Sequence, residues 1–114
     1  MNIYGIKTCD TCRKALKWLD AEGIAYEWSD VREDGLTKTK VKHWLSEVGP
    51  EQLINRRSTT WRQLAPERRP QLDSDKWVEI LVEMPTLIKR PIFEGSDQVR
   101  VGFSDDVRSW LSSQ

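Results

Sequence analysis

Long apolar segments and an excess charge of one sign are both missing from this sequence. No apolar run approaches the roughly 20 residues that span a bilayer, and residues 1–5 lack the basic and then apolar pattern of a signal peptide. Its 18 basic residues balance its 18 acidic residues, so the formal net charge is zero. No overall field then attracts nucleic acid or an anionic membrane. We therefore predict a cytoplasmic chain with neither of these partners.

Cysteine and histidine are also scarce, with only Cys9, Cys12 and His43 present. Zinc takes about four ligands, so Cys9 and Cys12 would form at most half of a site, and we predict no metal. A structural disulfide does not persist in a reducing cytosol, and this one would close a loop too short to add much stability. The spacing of Cys9 and Cys12 has two other interpretations, either two cysteines buried in the core or a redox-active pair.

The first third of the chain predicts a β-α-β unit. Residues 2–6 form a short apolar strand, and residues 24–28 alternate as a second one. Between them Ala15 and Leu19 lie on one face of a predicted helix that ends at Gly23. A right-handed crossover makes the two strands parallel and puts the loop that carries the cysteines at the carboxyl edge of the sheet.

The rest of the chain predicts helices and then a β-β-α ending. Apolar residues at helical spacing favour helices near residues 38–48 and 74–84, the second capped by Asp73 or Ser74, and residues 55–60 are polar enough for a loop. Residues 91–93 and 98–101 flank a hairpin turn, and a last helix follows Ser104. We predict an α/β thioredoxin-like fold with a mixed sheet, a single domain over residues 1–114 and a helical insertion at about 36–85.

The pattern Cys9-Asp10-Thr11-Cys12 lies at the predicted start of a helix. Free N–H groups and the positive dipole end favour a thiolate there. One helical turn places both side chains on the same face. Cys9 can then attack a disulfide or an oxidised substrate, and Cys12 can resolve the mixed disulfide. Given the β-α-β context, we favour redox chemistry with Cys9 exposed and Cys12 more buried.

Two further segments carry arginines. Arg56 and Arg57 precede a run of hydroxyl residues, and Lys89-Arg90 precedes Pro91. Guanidinium groups match carboxylates and oxyanions, although each of these arginines can equally be a solvated or helix-capping residue. Pro91 opens a strand and is a candidate cis-proline.

Four ordered segments resemble the arsenate reductase-like branch of the thioredoxin superfamily. They are residues 4–15 (YGIKTCDTCRKA), 55–61 (NRRSTTW), 88–92 (IKRPI) and 101–104 (VGFS). The branch includes glutaredoxin-coupled arsenate reductases, Spx regulators and YffB-type proteins, and the combination looks closest to the YffB type. The match covers nearly the whole chain.

The resemblance implies roles for particular residues. Cys9 takes the place of the nucleophile, and Arg90 and Pro91 match the arginine and cis-proline of the family. Arg57, or alternatively Arg56, falls at an anion-binding arginine, and Thr8 in the first segment is expected to contact substrate. The resemblance implies no tightly bound cofactor.

One position departs from the arsenate reductases, because Phe103 stands where they have a third arginine. A dianion would lose a charge-assisted partner there, worth roughly 1.5–3 kcal/mol. We therefore expect a thiol–disulfide oxidoreductase that uses glutathione as co-substrate, in contact with a thiol or disulfide substrate and with glutaredoxin as a further partner. The alternatives are an arsenate reductase and an Spx-like redox-switched protein that binds RNA polymerase.

Overall fold

A computed structural model describes all residues 1–114. Its strands and helices run in the order β1 (Asn2–Gly5), α1 (Asp10–Ala21), β2 (Glu27–Asp30), α2 (Lys38–Val48), α3 (Pro50–Leu53), α4 (Thr59–Gln63), α5 (Lys76–Glu83), β3 (Ile92–Glu94), β4 (Val99–Val101) and α6 (Asp105–Ser112), with 3₁₀ turns at Pro66–Arg68 and Pro85–Leu87. None of the helices combines the length and the apolar character that crossing a membrane requires.

The chain divides into two compact units. The first joins Met1–Asp34 to Arg90–Gln114, and the second spans Gly35–Lys89. The predicted helical insertion at about 36–85 falls inside the second unit. That all 114 residues form one domain stays a prediction.

The first unit contains a four-stranded mixed sheet in the order β2-β1-β3-β4. Strands β1 and β2 are parallel, whereas β3 is antiparallel to both β1 and β4. The predicted mixed α/β sheet is therefore confirmed. Because β1 and β2 are parallel, their carboxyl ends meet at one edge, and the chain leaves that edge to reach Cys9.

The core of the first unit lies between the sheet and two helices. Ile3 and Phe93 are direct partners across β1 and β3, so their side chains share one face of the sheet. The cluster that they join is completed by Ala15 and Leu19 of α1 and by Val107 and Leu111 of α6, all at most 6 % exposed. This packing fixes α1, and therefore its first turn, against the sheet.

The second unit is helical and has its own buried residues. Trp44 of α2 and Trp77 of α5 are at most 1 % exposed. Ile54 and Ile88 form an antiparallel bridge, and the Lys89 N–H donates to the Leu53 carbonyl at 2.7 Å. This bridge brings Lys89 to the segment that leads into the arginines at 56 and 57.

Strand β2 and helix α4 differ most from the sequence prediction, while the other strand boundaries shift by one residue. Strand β2 begins at Glu27 instead of residue 24, because the Glu27 N–H bonds to the Met1 carbonyl at 2.9 Å, where β1 starts. Ile24 instead closes the end of α1 through a bond to the Leu19 carbonyl. Helix α4 begins at Thr59, inside the predicted loop at 55–60, since the Ser58 hydroxyl accepts from the Trp61 N–H at 3.0 Å and caps the helix.

Leu19 tests the packing of α1 against the sheet. Its side chain is fully buried in the first unit, so Leu19→Ala should lower the free energy of unfolding by about 2–5 kcal/mol through lost burial and a residual cavity. Urea unfolding measures this loss. Lys17→Ala, an exposed change on the same helix, should stay within about 0.5 kcal/mol of wild type. Equal effects of the two substitutions would contradict the packing described.

Candidate active site around Cys9

Cys9 is the residue at which a tight turn passes into α1. Its N–H donates to the Ile6 carbonyl at 2.9 Å, which closes the turn, and its carbonyl accepts the first helical bond from the Arg13 N–H at 3.0 Å. The Cys9 backbone is extended (φ −82°, ψ 123°), as is usual for the residue before a helix. Its side chain therefore lies beside the unpaired N–H groups of the first helical turn.

The surroundings of Cys9 favour its thiolate. Partial burial alone would raise the pKa of Cys9. The backbone N–H of Cys12, the Cys12 thiol and the Arg90 guanidinium together outweigh burial and lower that pKa below its ordinary value. Cys9 is half-exposed, so this thiolate is within reach of an external disulfide.

Cys12 has the opposite properties. It is 1 % exposed, and burial together with the neighbouring Cys9 raises its pKa to about 12, against the effect of the Ile6 backbone and Arg90. Cys12 therefore keeps its proton and can donate a hydrogen bond to the Cys9 sulfur. The two thiols are both free, and they are chemically unequal, as the sequence predicted.

Gly5 at the end of β1 makes room for Cys12. A Cβ at position 5 would lie 2.5 Å from the Cys12 sulfur and 2.8 Å from the Trp28 ring. Any side chain at this position would displace one of these groups. The close approach of the Cys12 sulfur to the sheet therefore requires glycine here.

Arg90 and Pro91 lie in the same unit as the cysteines. The Arg90–Pro91 peptide bond is cis, which settles the isomer that the sequence left open for this candidate cis-proline. Pro91 is buried, and its carbonyl accepts from the Gly102 N–H at 2.8 Å, next to β4. Arg90 is half-buried and acts on both cysteines. The structure thus brings Arg90 to Cys9.

Asp30 is a residue of this site that the sequence analysis missed. It is 4 % exposed, and its carboxylate accepts from the N–H groups of Lys7 at 2.9 Å, Arg32 at 2.8 Å and Glu33 at 3.1 Å. Burial opposes ionisation, but these three bonds and the Lys7 charge lower the pKa of Asp30. Asp30 therefore ties the turn before Cys9 to the turn after β2. The polar residues after Asp30 signal a local Asx turn, but nothing in the sequence indicates its bond to Lys7.

Thr8 lies exposed in the turn immediately before Cys9. It lines a cleft of about 300 Å³ with Ile6, Lys7, Asp30, Arg32 and Glu33, which we name the Thr8 cleft. Residues from two turns at the carboxyl edge of the sheet form its walls.

Arg56 and Arg57 lie in the second unit. Both are exposed and line a cleft of about 540 Å³ with Glu51, Ile54, Asn55 and Lys89, which we name the arginine cleft. The side chain of Asn55 accepts from the Arg57 N–H at 3.1 Å. Three cations therefore face one carboxylate, and both arginines remain candidates for the predicted anion-binding residue.

Phe103 packs into the aromatic part of the first unit. Its ring lies 5.7 Å from that of Trp18 in an edge-on arrangement and 6.5 Å from that of Phe93. The Arg108 guanidinium lies 5.1 Å from the Phe103 ring centre. These contacts hold the Phe103 ring in place. According to the resemblance, arsenate reductases have an arginine at this position.

Comparison with known proteins points to one family. The profile of the ArsC family matches residues 4–109. An uncharacterized protein of Haemophilus influenzae is 41 % identical over 105 residues, which cover 92 % of each chain. The global transcriptional regulator Spx of Streptococcus agalactiae is 32 % identical over 107 residues, which cover 91 % of this chain and 77 % of the regulator.

A solved structure shares the fold. It is the structure of a YffB protein whose sequence is 35 % identical to this chain. The two structures superpose with a TM-score of 0.90, and the match covers 96 % of both chains. The predicted thioredoxin-like α/β fold and the resemblance to this group of proteins are both confirmed.

Asp30 provides a test of how the turn before Cys9 is held. Asp30→Ala leaves three partly buried N–H groups without their acceptor and should cost about 1–3 kcal/mol of unfolding free energy near pH 7. The pKa of Asp30 is lowered in the fold, so its stabilisation is present above its unfolded pKa of about 3.9 and is lost as pH falls through the folded pKa. In urea unfolding, the difference between variant and wild type should narrow in acid. A difference that stays constant with pH would contradict the ionised acceptor.

Proposed function

Because this chain belongs to the ArsC family, we propose that it is a thiol–disulfide oxidoreductase with Cys9 as its nucleophile and glutathione as its co-substrate. The observation that carries this proposal is the half-exposed Cys9 at the start of α1, with its pKa lowered by the Cys12 N–H, the Cys12 thiol and Arg90. A lowered pKa increases the share of thiolate, which is the reactive species in disulfide exchange.

The first step is attack of the Cys9 thiolate on one sulfur of a substrate disulfide. A new sulfur–sulfur bond forms to Cys9 as the substrate disulfide breaks, and the second substrate sulfur leaves as a thiolate that takes a proton from solvent. The substrate gains one free thiol, and the other half stays on Cys9 as a mixed disulfide. Arg90 stabilises negative charge on the sulfur of Cys9 before attack.

Two routes resolve the mixed disulfide. In one, Cys12 loses its proton and attacks the Cys9 sulfur, which releases the bound thiol and forms the Cys9–Cys12 disulfide. Two glutathione thiols then reduce this disulfide and become glutathione disulfide, directly or through glutaredoxin. In the other, a glutathione thiolate attacks the substrate sulfur of the mixed disulfide, which releases Cys9 as a thiolate and leaves the substrate half joined to glutathione in a new disulfide. Burial raises the pKa of Cys12, which slows the first route, although the part of the rise that comes from the Cys9 sulfur is lost once Cys9 is in the mixed disulfide.

Glutathione is the proposed co-substrate because of its charge. It carries two carboxylates, and the arginine cleft presents Arg56, Arg57 and Lys89 against the single carboxylate of Glu51. Arg57, or else Arg56, is proposed as a ligand of one carboxylate, since guanidinium groups bind carboxylates in a fork. Thr8 and Pro91 are proposed contacts of the thiol bound at Cys9.

Arsenate reduction is disfavoured by Phe103. Its ring packs on Trp18 and Phe93, and a phenylalanine supplies no positive charge for an oxyanion.

The second candidate is an Spx-like redox switch, which the similarity to Spx of Streptococcus agalactiae favours. In that case formation of the Cys9–Cys12 disulfide would change the affinity for a partner such as RNA polymerase.

Single-cysteine variants test the proposed chemistry. In Cys9→Ser, the rate of glutathione-dependent disulfide reduction should fall to the uncatalysed background, because the nucleophile is lost. Cys12→Ser should keep the first step and, when glutathione is left out, accumulate the mixed disulfide on Cys9, which mass spectrometry detects. Coupled turnover with glutathione and a small disulfide measures activity, with arsenate as a parallel substrate.

The outcomes separate the candidates. Full activity of Cys9→Ser would reject the proposal. Turnover of arsenate but not of disulfides would favour an arsenate reductase in spite of Phe103. No turnover of either, together with binding to RNA polymerase only when the cysteines are oxidised, would favour the switch.

A further inference from the structure

The Thr8 cleft adjoins the nucleophile through the chain itself. Thr8 precedes Cys9, and the opposite wall comes from the turn after β2, with Arg32 and Glu33. A volume of about 300 Å³ is large enough for a small polar end of a substrate. Because Thr8 and Cys9 are consecutive, their Cα atoms are about 3.8 Å apart, so a thiol of the size of glutathione on Cys9 can reach this cleft.

Asp30 holds both walls of the cleft in place. One of its carboxylate oxygens accepts from the Lys7 N–H, and the other accepts from the N–H groups of Arg32 and Glu33. The Asp34 carboxylate in turn accepts from the Asp30 N–H at 3.0 Å. Backbone positions on the two sides are thus fixed before any ligand arrives, which lowers the entropy lost on binding.

Among the charged side chains of the Thr8 cleft, one cation is available to bind a ligand. Lys7 is paired with Glu33. The negative charge of Asp30 is directed at three backbone donors within the turns. Arg32 is exposed and makes no ion pair, so its guanidinium retains its donors. The Thr8 hydroxyl, which lines the same cleft, is exposed and can also donate.

We propose that the Thr8 cleft is a carboxylate-binding subsite in which Arg32, supported by the Thr8 hydroxyl, holds a carboxylate of the thiol attached to Cys9. This inference rests on the proposed disulfide chemistry of Cys9 and extends it. It makes Arg32 a residue that selects carboxylate-bearing thiols such as glutathione over uncharged ones. The subsite is separate from the arginine cleft and needs none of its residues.

The test is an exchange equilibrium at Cys9. In the Cys12→Ser background, the mixed disulfide of Cys9 is equilibrated with glutathione in its reduced and oxidised forms, and separately with 2-mercaptoethanol and its disulfide. Mass spectrometry gives the two equilibrium constants. Their ratio reports preference for the carboxylate-bearing thiol and cancels any general change in Cys9.

We expect Arg32→Ala to lower this ratio about tenfold, the loss typical of one charge-assisted hydrogen bond. Arg32→Lys should recover part of it, because the charge remains but the fork is lost. Lys17→Ala removes one exposed positive charge from α1, away from the cleft, and should leave the ratio unchanged. This matched variant accounts for the change in net charge.

Three results would overturn the subsite. An unchanged ratio in Arg32→Ala, with mixed disulfides still formed, would reject it and leave the proposed function intact. An equal fall of both equilibrium constants would show that Arg32 acts on Cys9 and not on a carboxylate. Failure of Cys9 to form a mixed disulfide with either thiol would reject both the subsite and the proposed function.

Discussion

The interaction between the backbone N–H of Cys12 and the sulfur of Cys9 is the one on which the chemistry of this chain depends. It exists because α1 starts directly after a tight turn, so that unpaired N–H groups of the first helical turn face the Cys9 side chain. Burial works against the thiolate, and the Cys12 N–H is the first of the groups that overcome it, followed by the Cys12 thiol and Arg90. Asp30 fixes the turn that makes this geometry, through its bond to the Lys7 N–H.

The same arrangement makes the two cysteines unequal. Cys9 lies at the surface beside positive charge, whereas Cys12 is buried against Gly5 and Trp28, where its thiol stays protonated. A pair of this kind has an attacking sulfur and a sulfur that can act only after the first has reacted. The absence of a side chain at Gly5 is therefore part of the redox pair, since a Cβ there would displace the Cys12 sulfur or Trp28.

Local signals in the sequence were sufficient to predict much of this unit. The cysteine spacing and the apolar face of Ala15 and Leu19 indicate α1, whereas Pro91 before a strand is only a candidate for a cis bond, and the sequence does not fix its isomer. The start of β2 could not be predicted, because it depends on pairing with Met1 at the beginning of β1. Asp30 was missed for the same reason, since the N–H of Lys7 that it binds is 23 residues away. The roles of Arg56, Arg57 and Thr8 depend on a ligand and stay predictions.

The most direct test is titration of the Cys9 thiolate by ultraviolet absorbance in Cys12→Ser, with and without the additional change Arg90→Gln. The account predicts that the pKa of Cys9 lies below that of an ordinary cysteine, about 8.5, and rises when Arg90 is replaced. The backbone N–H remains in both proteins, so Arg90→Gln should remove only part of the depression. An ordinary or raised pKa of Cys9 in the Cys12→Ser protein that keeps Arg90 would contradict the activated thiolate and the function proposed from it.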